Sequence, residues 1–299
     1  MKGNEFDLII LGSGPAGLQA AIHAARAKAS VLVMGREYKS SVSRAHVENF
    51  CCLGRTDGET LLQEGRIQAK KSGAQFLNED VIETSQEGER FLIKTESGQE
   101  LKSRSLILAM GISRNKLGVP GEKELLGQGV SYCVDCDAGF YRGARVAVVG
   151  DESAAVSGAM TMLFYADKVH LISQEIQVSA EMAEQIRQSA VIIHENQGVK
   201  EILGQNQVDG LMLGDGTQLD VNGVFIELGA KGAIELASTL GVALDAESMK
   251  FVETDKKQRT NIPGIFAAGD ICGPPWQVAK AVGEGCVAGL EAAAYAKKF

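Results

Sequence analysis

No apolar run in the sequence approaches the ~20 residues a bilayer-spanning helix needs, so nothing in it reads as a membrane anchor. Clusters of Lys and Arg are missing as well. With 30 basic against 38 acidic residues and a net charge of -8, the chain lacks the cationic surface that phosphate backbones require, which argues against nucleic acid and against an anionic membrane. Aromatic residues are scarce at 5%, and only 5 prolines stand beside 35 glycines. That excess of glycine suits a fold with many tight strand-to-helix turns, where backbone approaches a ligand closely. Low-complexity tracts and short-period repeats are absent. No signal-like segment precedes the strand-like Phe6-Asp7-Leu8-Ile9-Ile10, so the expected location is cytoplasmic. In that compartment six cysteines read as reduced thiols plus a catalytic pair, not as a disulfide framework. The four histidines, His23, His46, His170 and His194, show no ligand spacing, and none is assigned to chemistry.

What remains is an ordinary globular composition, 45% hydrophobic and 23% charged over 299 residues, enough for one large domain or two modest ones. A strand at 8–11, a helix over 15–28 and a strand at 31–34 form a βαβ unit and imply a parallel sheet. A meander follows, with strands near 91–93 and 101 around the turn Glu96-Ser97-Gly98-Gln99, closing on 105–109. The strand-then-glycine pattern restarts at Arg145-Val146-Ala147-Val148-Val149-Gly150, with a helix from Ser153 and a strand at 168–172. A β pair at 208–213 and 218–221 precedes a strand at 223–227. The last strand, 264–268, leads into a closing helix. The expected fold class is α/β, with two Rossmann-like three-layer nucleotide-binding domains, the second inserted into the first. The first domain is expected at 1–115 and 245–299, the second at 116–244.

Gly12-Ser13-Gly14-Pro15-Ala16-Gly17 is G-x-G-x-x-G, directly after a strand and opening a helix. Gly12 permits the tight turn, Gly14 lets backbone N–H groups reach a pyrophosphate, and Gly17 lets the helix pack closely, with its positive dipole end facing phosphate. Glu37, past the second strand, is placed to accept hydrogen bonds from ribose hydroxyls. A glycine turn serving packing alone is the plainer reading, which the strand-turn-helix context disfavours. The loop by itself is compatible with NAD or FAD.

Cys133-Val134-Asp135-Cys136-Asp137 is C-x-x-C followed by an acid. Two thiols at this spacing at a helix start can close a small disulfide ring, and a lowered thiolate pKa makes one a nucleophile. Structural zinc needs four ligands, and no second C-x-x-C or His pair supplies them. Asp137 reads either as a helix-capping carboxylate or as a proton relay beside the thiols.

Thr260-Asn261-Ile262-Pro263-Gly264-Ile265-Phe266-Ala267-Ala268-Gly269-Asp270 resembles the second flavin motif of flavoproteins with two dinucleotide domains. Val47-Glu48-Asn49-Phe50 and Leu108-Ala109-Met110-Gly111 accompany it. In order and spacing these motifs resemble the low-molecular-weight thioredoxin reductase family over essentially the whole chain. The resemblance implies FAD held by the loop Gly12, Ser13, Gly14, Pro15, Ala16 and Gly17, and by Gly35, Arg36 and Glu37 after the second strand. It adds Asn49, Val81, Ala109, Met110 and Gly111, then Gly269 and Asp270 at the ribityl chain and Gln277, Val278 and Ala279 beyond. It further implies that Cys136 faces the flavin, Cys133 attacks a substrate disulfide, and Asp137 donates and accepts the proton. The implied substrate is a thioredoxin-like protein or another disulfide, and the implied assembly a homodimer.

Two stretches depart from the family. Where its second phosphate loop reads Gly-x-Gly-x-x-Ala, this chain has Gly150-Asp151-Glu152-Ser153-Ala154-Ala155, with two acids where pyrophosphate would approach. Where the family carries arginines for the 2′-phosphate, it has Ser173-Gln174-Glu175-Ile176-Gln177-Val178-Ser179-Ala180, without a basic residue. NADPH is therefore not the expected donor; the resemblance to family members that lack these motifs implies a ferredoxin or another flavin instead, and a second flavin in the degenerate domain stays open. An atypical NAD(P)H user and a flavin redox sensor that does not turn over are the competing readings. The other thiols, Cys51, Cys52, Cys272 and Cys286, are expected to be buried packing residues. Trp276 is either a flavin-side or interface residue or a surface anchor.

Overall fold

The computed structural model describes residues 4–37, 39–111, 116–229, 232–247 and 249–298, leaving aside the side chain of Arg44. The chain divides into two compact units, one of 1–95, 99–113 and 236–299, the other of 96–98 and 114–235. The second is thus inserted into the first.

The first unit opens with β1 (Glu5–Leu11), α1 (Pro15–Arg26) and β2 (Val31–Met34). The hairpin of β3 (His46–Val47) and β4 (Thr56–Asp57) leads into α2 (Gly58–Ser72), then β5 (Gln75–Leu77), β6 (Val81–Glu87), β7 (Arg90–Thr95) and β8 (Glu100–Leu108). In the second unit come β9 (Val130–Ser131), α3 (Val134–Asp137), β10 (Arg145–Val149), α4 (Ser153–Met162), β11 (Lys168–Ile172), α5 (Ala180–Gln188) and β12 (Ile192–His194). The strands β13 (Val199–Leu203), β14 (Gly210–Leu213), β15 (Gln218–Leu219) and β16 (Gly223–Ile226) complete it. After α6 (Ala233–Thr239), β17 (Ile265–Ala267) and α7 (Val278–Ala296) finish the first unit.

In the first unit the sheet runs β5-β2-β1-β8-β7-β6, with β17 also pairing β8. Leu11 is in register with Met34 on one side and Leu108 on the other, and Leu108 with Ala267. Four parallel strands therefore end at one edge, each followed by a residue of the expected flavin set: Gly12, Gly35, Ala109 and, one residue further on, Gly269. These strands read as continuous apolar runs because their residues are buried on both faces of the sheet. The alanine-rich faces of α1 and α7 pack on it around Ile10, Ile107 and Phe266. A side chain at Gly285 or Gly289 would run into the backbone of Ala16 or Ala20, which explains why the closing helix carries glycine against α1.

The second unit's main sheet, β12-β11-β10-β16-β9, is wholly parallel, and β13-β14-β15 form a small antiparallel sheet. Both units are Rossmann-like, as the two glycine-ended βαβ patterns lead one to expect. The chain rejoins the first unit at 236, earlier than the expected 245. Thr84 explains the difference, since its hydroxyl bonds Leu236 O at 3.2 Å and the Thr239 hydroxyl at 3.0 Å.

Candidate functional sites

Gly12 has φ +113°, and a Cβ there would run into the carbonyl of Ala109; only glycine lets β1 turn so close to the end of β8. Gly14, the N-cap of α1, has no side-chain cap, and the first turn holds no acid. Among the described residues, a Cβ at Gly14 would meet the Ser40 hydroxyl alone, at 3.4 Å. The loop is an open cradle at a positive helix end, the arrangement that receives pyrophosphate.

Around it, the end of β2 is fixed by contacts the sequence did not reveal. Arg36 Nε pairs with the buried carboxylate of Asp80 at 3.1 Å, and Ser13 Oγ donates to Arg36 O at 3.4 Å. Glu37 N–H donates to Asn78 Oδ1 at 3.1 Å, and its carboxylate pairs with Arg66 Nη2 at 2.6 Å. Arg66 lies over the Phe76 ring, 4.3 Å from its centroid. Among the described residues its buried Nε has no hydrogen-bond partner. The Arg66 side chain forms part of the wall of a cavity of about 150 Å³ whose lining includes Ser13, Glu37, Leu62 and Gln63. A cavity bounded by Ser13 of the glycine loop and by the expected ribose acid Glu37 fits a bound dinucleotide.

The other rim is built by β17 and α7. Asn49 Nδ2 donates to Gln277 Oε1 at 2.7 Å, joining two expected flavin residues. Lys280 Nζ donates to the carbonyls of Gly269 and Gly273 at 2.7 and 2.8 Å and pairs with Glu284 at 3.0 Å. Glu284 in turn accepts the Gly269 N–H at 2.8 Å. This i,i+4 pair pins the turn that presents Asp270; its spacing was visible in the sequence, its target was not. Burial pushes the Asp270 carboxyl up, against the pull of the Lys280 ammonium. Val81 is buried in β6. Cys272 is partly buried, and burial with the Glu284 charge raises its thiol to about 12.

Cys133 and Cys136 are joined in a disulfide. Cys133 is the N-cap of α3 and its Sγ accepts the Cys136 N–H at 3.2 Å. Ser131 Oγ accepts the Cys133 N–H at 3.0 Å and donates to Asp137 Oδ2 at 2.7 Å. Buried Glu227, at the end of β16, accepts the Val134 N–H at 2.8 Å. Ser131 and Glu227 were not singled out by the motif; being remote from it in pattern or sequence, they needed the fold. The charge of Asp137, after the larger effect of burial, raises the Tyr141 phenol.

At the second glycine turn, Asp151 Oδ1 accepts Ser173 Oγ at 2.9 Å and Gln174 N–H at 2.7 Å. The acid thereby bridges the ends of β10 and β11. Ala154 N–H, in the first turn of α4, donates to Gly229 O at 3.2 Å, so this helix start is not the open cradle of α1. Glu152 stands where the fingerprint has its second glycine.

Cys51 and Cys52 are exposed, a correction to the expected buried packing; they lie on the hairpin connection between β3 and β4. His170 and His194, which show no ligand spacing in the sequence, come together in the fold. Adjacent strands place Nδ1 of one 2.9 Å from Nε2 of the other, though among the described residues no third ligand joins to make a metal site. Trp276 is half exposed and packs on Phe251 at 5.6 Å between centroids. Among the described residues no helix is long and apolar enough to cross a membrane.

The family described as pyridine nucleotide-disulphide oxidoreductase matches residues 6–285. The thioredoxin reductase of Listeria monocytogenes is 34% identical over 306 aligned residues, covering 98% of this chain and 95% of that protein. The crystal structure of the atypical thioredoxin reductase TRi from Desulfovibrio vulgaris Hildenborough superposes with a TM-score of 0.83 at 34% identity, covering 97% of this chain and 98% of that one. A ferredoxin-flavin thioredoxin reductase from Clostridium acetobutylicum gives 0.70 at 32% identity, over 99% of both chains.

Proposed function

The chain belongs to the pyridine nucleotide-disulphide oxidoreductase family and is an FAD flavoprotein of the thioredoxin-reductase type, and from that premise we propose that its donor is not NADPH. Electrons would come from a ferredoxin or another flavin and leave through Cys133 and Cys136 to a thioredoxin-like disulfide. Bound FAD supplies the electron pair that opens the disulfide. In this reading Cys133 then attacks the substrate disulfide, Cys136 resolves the mixed disulfide, and Asp137 holds and returns the proton. Phe140, just past Asp137, is 86% exposed and offers an apolar contact to a protein substrate.

Asp151 carries the donor assignment. Its carboxylate ties down the backbone at Gln174, where the 2′-phosphate of NADPH would need cations. Losing two charge-assisted contacts, at ~1.5–3 kcal/mol each, weakens a micromolar site to about millimolar. The test is anaerobic reduction of the purified protein, followed at the flavin band, with NADPH, NADH and reduced ferredoxin in turn. Rapid bleaching by either nicotinamide at ~0.1 mM, well below that affinity, overturns the assignment. About one FAD per chain is expected; two would place a second flavin in the second unit. A homodimer is part of the proposal, and sedimentation showing only a 31.7 kDa species at micromolar concentration would remove it.

A further inference from the structure

Cys51 and Cys52 take no part in the sites described above. They occupy the two central positions of a four-residue turn closed by Leu53 N–H donating to Phe50 O at 3.2 Å. Both are exposed, so the burial that ordinarily retains cysteine in a fold is missing. Cys52 has φ +67°, a left-handed conformation that this turn position favours for Gly or Asn. A strained residue that gains nothing from burial points to function. The turn also brings the two sulfurs together, 3.3 Å apart, and among the described residues no third His, Cys, Asp or Glu completes a metal cluster around them.

We propose that Cys51 and Cys52 form a chelating dithiol for a trivalent thiophilic centre, the chemistry of an arsenic(III) compound. With sulfur bonds of ~2.3 Å, the length of zinc thiolates, sulfurs at this spacing subtend an angle of about 90° at the centre. Tetrahedral zinc prefers a wider angle, and a two-coordinate soft cation a straight one. A pyramidal trivalent centre with a lone pair suits the sharp angle. With phenylarsine oxide as the ligand, two S–H bonds break and two As–S bonds form, and the oxygen leaves with both protons as water. Arsenic stays trivalent and no electrons move. Once the first As–S bond forms, the second closes at high effective concentration.

The test uses the full-length FAD-bound protein in a Cys133→Ser/Cys136→Ser background, so that the redox pair cannot take the probe. After reduction and anaerobic removal of reductant, native mass spectrometry should show one phenylarsenic group per chain. It should withstand excess monothiol and leave with a dithiol competitor. Cys51→Ser, and separately Cys52→Gly, should lower retention at least ~100-fold, the scale of a lost second attachment. Cys52→Gly also relieves the strained backbone, and an unchanged flavin spectrum shows that the fold persists. No monothiol-resistant adduct in the parent, an adduct retained in either variant, or one lost instead with Cys272→Ser or Cys286→Ser would overturn the proposal.

Discussion

Ser131 and Asp137 are joined by a 2.7 Å hydrogen bond, and the same serine oxygen receives the Cys133 N–H at 3.0 Å. One hydroxyl thus sets the carboxylate relative to the backbone of the thiol it would serve. Ser131→Ala should lower the rate of disulfide reduction about tenfold, the effect of ~1.4 kcal/mol, and displace its pH profile, with KM for the disulfide partner little changed. Ser131→Thr should restore most of the rate. Asp137→Asn should be worse, by ~10²–10⁴ if it is the acid-base group. Equal rates and pH profiles for Ser131→Ala and the parent would show that the serine only packs.

Lys280 gives a prediction about cofactor retention. Its ammonium holds two carbonyls at 2.7 and 2.8 Å in the turn presenting Asp270, and bonds to a charged donor contribute ~1.5–3 kcal/mol each. Lys280→Met should loosen that turn and weaken FAD at least tenfold, measured as flavin lost on ultrafiltration. The disulfide should remain reducible by a chemical thiol. Undiminished FAD affinity in a folded variant would mean that Glu284 alone suffices.

Much of this was legible in sequence because the informative residues are local. The strand-glycine-helix turns at Gly12 and Gly150 and the C-x-x-C are contiguous patterns, and their elements lie where periodicity put them. The helix α2 went unread although Asp57 caps it, accepting the Thr60 N–H at 2.8 Å, because its mean composition is polar and its apolar face narrow. The short strands β9 and β12 offered too few residues for a period to show. Arg66, Glu227 and the His170–His194 pair meet their partners only through the fold, as Lys280 does the two carbonyls it holds. Cys51 and Cys52 misled for a different reason: the preference of cysteine for burial is a tendency, and a tight hairpin turn overrides it.

Acid sensitivity should trace in part to His170. Burial, then the neighbouring His194 and Lys168, lowers its pKa from 6.5 to about 4. Burial lowers His194 too, opposed by Asp215. A histidine depressed in the folded state is neutral in both states above pH 6.5, so it alters stability little there. Below 6.5 the unfolded chain gains a proton that the folded chain refuses, and stability falls until the pH reaches about 4. The urea midpoint should decline between pH 7.5 and 5, and His170→Gln should flatten that decline. A slope unchanged in the variant would assign the acid sensitivity elsewhere.

The donor assignment can also be tested by gain of function. Gln174 and Glu175 are exposed at the end of β11, so replacing them should not disturb the core. Asp151 and Glu152 directly follow Gly150 in the turn, Glu152 at the position of the fingerprint's second glycine. The combined variant Asp151→Gly/Glu152→Gly/Gln174→Arg/Glu175→Arg removes the acids and supplies two guanidinium groups able to grip a phosphate bidentately. It also removes the Asp151 bonds to Ser173 and Gln174, at a cost of about 1–3 kcal/mol, so a lower Tm is expected. If charge at this turn governs donor choice, flavin reduction by NADPH should rise at least tenfold over the parent, and reduction by NADH should gain less because it has no 2′-phosphate. A folded variant indifferent to NADPH would show that something beyond these four positions bars the nucleotide, with Glu227 at the end of β16 the next residue to replace.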